Sequence, residues 1–249
     1  MKLNTFISDF WGIWPIVPGT LLLSIVILLL GILIGSGISH LKTSSNHVSR
    51  FIASLYVTYF RGIPLLIHLF IVYYGLPVLL TSVLPIFIKI NVIYLQRLNP
   101  IYAILITYSL YSAAFLSEII RGSFRSVPGG QIEAARAMGY TGWQTYVHIS
   151  LPQALVEATP KLLNYYLLLL RQLSLAFLVS FVDIFAQAQL QSAINYRYIE
   201  AYVAAAFVYW ILSIVLNFIF KRFENRISLY RRGDTNIQRI NPDISLDIE

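Results

Sequence analysis

Long apolar stretches constrain this fold more than any other feature of the sequence. The first covers residues 17–38 and contains no charged residue. A helix needs about 20 consecutive apolar residues to cross the hydrocarbon core of a bilayer. Further apolar stretches cover residues 62–84, 100–117, 152–182 and 201–220, and among them 152–182 is interrupted by Glu157, Lys161 and Arg171. The pattern therefore predicts an all-α membrane protein with five transmembrane helices.

The composition supports a membrane protein and excludes several site classes. Hydrophobic residues make up 57% of the chain and charged residues 12%, whereas about 25% of an average soluble domain is charged. The absence of cysteine excludes disulfides and thiolate metal sites. The four histidines show no zinc-binding spacing, and we predict no metal site. We interpret residues 1–232 as a transmembrane domain whose first span is not a cleaved signal peptide, and residues 233–249 as a polar cytoplasmic tail.

The basic residues indicate the orientation of the spans. With the N-terminus outside and five spans, the C-terminus lies inside. The predicted inside segments then contain twelve basic residues, which are Lys42, Arg50, Arg61, Arg121, Arg125, Arg136, Lys221, Arg222, Arg226, Arg231, Arg232 and Arg239. The predicted outside segments contain four, which are Lys2, Lys89, Arg97 and Arg197. This excess is the positive-inside pattern of membrane proteins, and the bilayer is the first predicted partner.

Residues 131–154 predict a short helical hairpin that leads into a membrane span. The Ala-rich segment 131–138 favours a helix, and Gly139 stands where the residue after a helix adopts a left-handed conformation. Thr141 and Gln144 have the spacing of a capping box for a second helix. Pro152 suits the first turn of the following helix, where its missing N–H costs nothing.

This hairpin resembles the EAA loop of permease subunits of ATP-binding-cassette importers. The matching positions are Glu133, Ala134, Ala135, Gly139, Leu151 and Pro152. The resemblance implies that these residues couple the chain to a separate ATPase, because the loop docks the membrane subunit onto that partner. An ordinary amphipathic surface hairpin is the alternative, although the full spacing is more specific than an isolated triplet.

The resemblance extends over residues 18–232 and is to the histidine, glutamine and cystine branch of amino-acid permeases. The segments 59–66, 118–131 and 171–175 match that branch, with Arg171 in place of its lysine and Asp183 in place of its glutamate. It implies the type I importer fold, a polar amino-acid substrate and a subunit that is not an enzyme. The implied partners are ATPase subunits that bind ATP and magnesium, a second permease subunit that is identical or paralogous, and an extracytoplasmic binding protein. No cofactor is expected in this chain.

Charges within the fourth apolar stretch indicate a substrate site. Arg171 suits an amino-acid carboxylate, and an ionisable group in a membrane span is by default a functional candidate. Asp183 lies twelve residues further on, about 18 Å along an unbroken helix, so either the helix breaks near Ser180 or each charge has its own partner. The predicted substrate-binding residues are Arg171, Ser174, Asp183 and Gln187. The alternative is a structural partner for Arg171 and a solvated position for Asp183.

Other polar residues favour structural roles, and we predict no catalytic residue. There is no P-loop motif, and Ser36 with His40 is a weak nucleophile candidate beside glycines that favour helix packing. Glu157 and Lys161 have the spacing of an ion pair, and Pro160 between them removes a backbone hydrogen bond. We interpret His68 as a packing residue. Tyr73 and Tyr74 could line a translocation path, but an aromatic pair more often packs or anchors at the membrane interface. An ion-gradient-driven transporter is the alternative function, although such folds usually show internal repeats.

Overall fold

The structure is a computed structural model that describes residues 3–87 and 99–227. Within these residues the chain forms ten α-helices, which we number in chain order. They are α1 Leu3–Ile13, α2 Val17–Thr43, α3 His47–Gly62, α4 Leu65–Phe87, α5 Pro100–Arg125, α6 Gly129–Ala137, α7 Gly142–Thr145, α8 Leu151–Gln172, α9 Ile184–Asn195 and α10 Tyr198–Ile227. Lys89, Arg97 and the predicted tail 233–249 lie outside the described residues.

Five helical segments are long and apolar enough to cross a membrane. They are Leu3–Thr43, Leu65–Ser82, Pro100–Arg125, Gly142–Val179 and Tyr198–Asn225. Each overlaps one of the predicted spans, so the prediction of five candidate spans is confirmed. The first is the longest because α1 and α2 are joined only by the 3-10 turn Trp14–Ile16.

The helix α3 was not predicted from the sequence. Its N-cap is Asn46, whose side chain accepts a hydrogen bond from the N–H of Val48, and it ends at Gly62, two residues before Pro64. Its apolar residues Ala53 and Val57 pack against Ile38 of α2 and Ala113 of α5. The segment between the first two spans is therefore a helix packed beside the spans rather than an extended loop.

The fourth span ends in a break before α9. After α8 the chain continues as the 3-10 helix Leu173–Val179, and Ser180 adopts a left-handed conformation with φ of 64°. Asp183 then caps the N-terminus of α9. Of the two arrangements considered from the sequence, the structure shows the helix break near Ser180.

The described residues form two compact units. The first combines 3–118 with 165–213, and the second combines 119–164 with 214–227. In the first unit, apolar residues of α1, α2, α9 and α10 share a core that includes Ile13, Val17, Ile184 and Val208. The second unit contains the predicted coupling hairpin. The helices α5, α8 and α10 each contribute residues to both units.

Glycine allows α2 and α5 to approach closely within the first unit. A Cβ atom on Gly35 would lie 3.0 Å from the Ala113 carbonyl oxygen and 3.1 Å from the Ser117 nitrogen. A Cβ on Gly37 would meet nothing within 4 Å. The packing role expected for the small residues near Ser36 is thus confirmed for Gly35.

Candidate coupling and transport sites

The coupling hairpin is defined by three consecutive hydrogen-bonded features. At the end of α6, the N–H of Gly139 donates to Arg136 and that of Tyr140 donates to Ala135, which is the Schellman pattern. Gly139 has φ of 87°, a conformation that disfavours residues with a Cβ. A capping box between Thr141 and Gln144 then starts α7. The helix, tight turn and helix expected from the sequence are all present.

Large side chains on this hairpin are exposed. Met138 is 78% exposed and Trp143 is 73% exposed, and Tyr140 is also exposed. Glu133 and Ala134 are exposed beside them, whereas Ala135 is buried. The resemblance did not single out Met138, Tyr140 or Trp143, although the run Met138–Trp143 contains these large residues on either side of the glycine turn. We call Glu133, Ala134, Met138, Tyr140 and Trp143 the hairpin surface.

Contacts within the second unit attach the hairpin to the long helices. The Gln153 amide of α8 donates to the Gln131 side chain of α6. The ring of Tyr146 stacks on Phe124 of α5 with centroids 5.6 Å apart, and Trp143 stacks on Tyr146 at 5.7 Å. The stacked rings connect Trp143 to α5, and the hydrogen bond of Gln131 connects α6 to α8. The predicted coupling residues Leu151 and Pro152 form the first turn of α8, where both are partly buried.

Arg171 lies in the last turn of α8 and Ser174 in the following 3-10 helix, both within the fourth candidate span. Arg171 is exposed, and its Nε donates to the carbonyl of Leu167 at 3.0 Å. The Ser174 hydroxyl donates to the carbonyl of Arg171 at 2.7 Å. The guanidinium therefore keeps most of its hydrogen-bond donors available, which is the state required to bind a carboxylate.

Asp183 is buried, with 0% of its surface exposed. One carboxylate oxygen accepts from the N–H of Ala186 at 2.9 Å, and the other accepts from the Tyr209 hydroxyl at 3.1 Å. Burial raises the pKa of this carboxyl group above its ordinary value, and the hydrogen bonds that it accepts oppose the rise. The idea that Asp183 is a solvated residue is therefore wrong, because its carboxylate is inside the protein and forms a helix cap.

The four predicted substrate residues divide into two groups. Arg171 and Ser174 are adjacent through one hydrogen bond. Gln187, in contrast, lies with Asp183 on the first turns of α9, and its amide donates to the Gly12 carbonyl of α1 at 3.3 Å. The structure thus separates an accessible pair from a pair that makes contacts within the protein, and substrate contact by each stays a prediction.

The remaining polar candidates have structural contacts. The Ser36 hydroxyl donates to Ile32 of its own helix at 2.7 Å, and the predicted ion pair between Glu157 and Lys161 is present at 2.7 Å. His68 is buried, stacks on Phe60 with centroids 4.8 Å apart, and contacts the Pro64 carbonyl through Nδ1. These contacts fit the packing role expected for His68, although its buried Nε2 has no hydrogen-bond partner among the described residues.

Tyr73 and Tyr74 contact each other and also line a cavity. Their ring centroids lie 5.0 Å apart, and both tyrosines line a cavity of about 310 Å³ between the middle of α4 and the start of α5. Tyr102 and Asn99 complete its polar lining.

Comparison with known proteins identifies the family to which this chain belongs. Residues 27–229 match the family model described as "Binding-protein-dependent transport system inner membrane component". The chain belongs to this family. The probable amino-acid permease YxeN of Bacillus subtilis is 34% identical over 222 residues, which cover 89% of this chain and 94% of the relative. The L-cystine permease TcyL of Bacillus subtilis is 34% identical, covering 84% of each chain, and the Escherichia coli glutamine permease GlnP is 28% identical, covering 89% and 98%.

A solved structure agrees with this assignment. The crystal structure of an amino acid ABC transporter with histidines matches with a TM-score of 0.75 and 26% identity, over 91% of this chain and 99% of that chain. As a binding-protein-dependent permease, the chain is a multi-pass inner-membrane protein and a transport component rather than an enzyme. It is part of an ATP-binding-cassette importer complex, and the resemblance noted from the sequence is confirmed.

Proposed function

We propose that this permease forms the membrane pathway of an importer for a polar amino acid, driven by ATP hydrolysis in partner subunits. The hairpin surface is the observation that supports this proposal most strongly. Two exposed large apolar side chains, Met138 and Trp143, project from a rigid capped turn. Exposed aromatic and methionine side chains are enriched at the centres of protein interfaces. A polar amino acid is supported by relatives whose names include L-cystine and glutamine.

The proposed assembly contains two permease subunits, identical or paralogous, and two ATPase subunits that hold ATP and magnesium. An extracytoplasmic binding protein delivers the amino acid. The basic residues support an N-terminus outside and a C-terminus inside, so the hairpin surface faces the cytoplasm where ATP is available. Closure of the ATPase pair moves the hairpin, its stacked rings carry the movement into α5, and the hydrogen bond between Gln131 and Gln153 carries it into α8.

The proposed substrate contacts are Arg171 and Ser174. An exposed guanidinium binds a carboxylate with two parallel hydrogen bonds, and the serine hydroxyl holds the backbone next to it. Asp183 and Gln187 serve the same site by holding α9 in place, because their side chains bond to Tyr209 and to Gly12 within the protein. The family leaves no reason to favour an ion-gradient-driven transporter.

Replacing Trp143 with Ala tests the docking step. Loss of a central aromatic anchor typically costs about 2 kcal/mol or more of binding energy, which corresponds to roughly 30-fold weaker binding of the ATPase. The binding of purified ATPase to the permease in nanodiscs measures this change. Trp210→Ala is the matched control, because Trp210 is also exposed but lies on α10 within a candidate span. Equal ATPase binding by the two variants would exclude the hairpin surface as the docking site.

A further inference from the structure

A cavity of about 390 Å³ lies between α8 and α10 within the second unit. Its volume is in the range of small-molecule pockets in proteins, which is about 300–1,000 Å³. The lining combines apolar side chains with amides, a cation and a carboxylate, and it includes Leu163, Asn164, Asn217, Phe218, Lys221 and Glu224. The coupling and transport sites described above contain none of these residues.

The cavity lies where the apolar segments of both helices end. On α10, residues 201–220 contain no charged residue, and Lys221 is the first charge after them. On α8, residues 162–170 are uncharged, and the ion pair of Glu157 with Lys161 comes just before them. A lysine at the end of an apolar span is typical of the membrane–water interface. The cavity is therefore at the depth of lipid heads, on the side of the hairpin that leads into α8.

The two charged side chains of the lining are available to a ligand. Lys221 is exposed and Glu224 is partly buried. Although they are close in sequence on α10, neither forms an ion pair or a hydrogen bond with another described residue. The exposed amide of Asn164 on α8 also has no hydrogen bond within the described part of the chain. The cavity thus presents a cation, a carboxylate and an amide that both donates and accepts.

An exposed apolar surface continues from the cavity along α10. Phe218 lines the cavity and is 65% exposed, and Ile214, about one helical turn earlier, is 51% exposed. Residues four apart lie on the same face of a helix, so this apolar surface leads from the charged end of α10 toward the middle of the span. A soluble ligand in the cavity would leave this surface uncovered, whereas the acyl chains of a lipid cover it.

We propose that this cavity binds the head of a phospholipid that carries both a phosphate and a primary ammonium, as phosphatidylethanolamine does. Lys221 and the Asn164 amide donate hydrogen bonds to the phosphate, and Glu224 accepts hydrogen bonds from the ammonium. The acyl chains lie along Phe218 and Ile214. Basic pockets between transmembrane helices bind phospholipid heads, and here the carboxylate selects a head that also carries positively charged donors. The bound lipid joins α8 to α10.

Lipid retention by the purified permease–ATPase complex tests this site without a measurement of transport. The complex is delipidated in detergent and incubated with an equimolar mixture of phosphatidylethanolamine, phosphatidylglycerol and phosphatidylcholine that have the same acyl chains. Native mass spectrometry then counts each bound lipid. Phosphatidylcholine is an informative competitor because its quaternary ammonium has no N–H to donate to Glu224. We expect about 10-fold greater retention of phosphatidylethanolamine than of either competitor, the factor typical of one hydrogen bond between charged groups.

Two substitutions separate the contacts with the phosphate and with the ammonium. Lys221→Gln should lower the retention of phosphatidylethanolamine about 10-fold, because the phosphate loses its cation. Glu224→Gln should lower the retention of phosphatidylethanolamine to that of phosphatidylglycerol, so that the preference between the two disappears. Arg222→Gln is the matched control, because Arg222 is a neighbouring exposed cation that does not line the cavity, and it should leave retention unchanged.

Equal retention of the three lipids by the wild type would overturn the proposal, as would equal losses in Lys221→Gln and Arg222→Gln, since either result indicates unspecific attraction to a basic surface. An unchanged preference in Glu224→Gln would exclude the contact with the ammonium. Excess inorganic phosphate and excess glutamine serve as soluble competitors and should not displace the lipid. Displacement by either would show that the cavity holds a soluble anion or an amino acid instead of a lipid.

Discussion

Substitutions of Asp183 distinguish a structural role as a helix cap from direct contact with the substrate. Asp183→Ala removes a helix cap, which typically costs about 1 kcal/mol. It also leaves the buried N–H of Ala186 and the hydroxyl of Tyr209 without their acceptor, and each unpaired buried group costs about 1–3 kcal/mol. Because these contributions overlap, we expect a total loss of about 3 kcal/mol. Asp183→Asn keeps one carbonyl oxygen for Ala186, and the Tyr209 hydroxyl can rotate to accept from the new amide, so we expect a loss below about 1 kcal/mol.

The raised pKa of Asp183 supports the smaller loss of stability expected for Asp183→Asn than for Asp183→Ala. Burial already disfavours the charged carboxylate, so a neutral side chain of the same shape loses less than it would at an exposed site. Tyr209→Phe should cost about 1 kcal/mol by removing one hydrogen bond. In the double variant with Asp183→Ala, the two losses should be less than additive because both remove the same contact.

The assay measures the fraction of purified permease–ATPase complex that stays monodisperse after heating, together with uptake. If Asp183 is a cap, Asp183→Asn should be nearly as stable as the wild type and should transport, while Asp183→Ala should be clearly less stable. Equal stability of the Ala and Asn variants would refute the cap. A stable Asp183→Asn complex that fails in uptake would instead show that the negative charge itself is needed, as a contact with the substrate ammonium requires.

Three further predictions concern packing, coupling and topology. Gly35→Ala should destabilise the permease by about 1–3 kcal/mol in the same heating assay, because the new Cβ meets the backbone of α5. Gly37→Ala has open space around its Cβ and should be neutral or slightly stabilising. A similar effect of both substitutions would contradict the close approach of α2 and α5. Gly139→Asp should leave the permease in the membrane but uncouple ATP hydrolysis from uptake, because it strains a turn with φ of 87° by about 1–2 kcal/mol and adds a charge. Gly130→Asp, where a Cβ also has open space, is the control. Wild-type uptake by the Gly139→Asp variant with bound ATPase would refute the coupling role. A cysteine replacing Ile194, which is 82% exposed, should react with an impermeant thiol reagent added outside whole cells, whereas a cysteine replacing Met138 should react only after permeabilisation. The chain has no native cysteine that would react in the background. The reverse labelling pattern would overturn the proposed orientation.

The sequence was sufficient for features that depend on local chemistry. The apolar stretches identified the spans because crossing a bilayer requires a run of defined length. Gly139, Thr141 and Gln144 predicted the turn and cap because each satisfies backbone groups within a few residues. The close packing at Gly35 was likewise expected from a small residue in an apolar helix.

Features that depend on distant residues were less accessible from the sequence. The helix α3 was missed because it is amphipathic and its apolar residues face α2 and α5. The role of Asp183 depends on Tyr209, which is 26 residues away along the chain, and burial of a carboxylate is not visible in a residue pattern.

ATP-driven uptake in proteoliposomes tests the central claim most directly. The permease is reconstituted with its ATPase subunits, the binding protein is added on the outer side, and ATP with magnesium is enclosed on the side of the hairpin surface. We predict accumulation of a labelled polar amino acid that requires ATP and persists when an ionophore removes ion gradients. Trp143→Ala should lose this uptake, whereas Trp210→Ala should retain it. Accumulation driven by an imposed ion gradient in the absence of ATP would contradict the account.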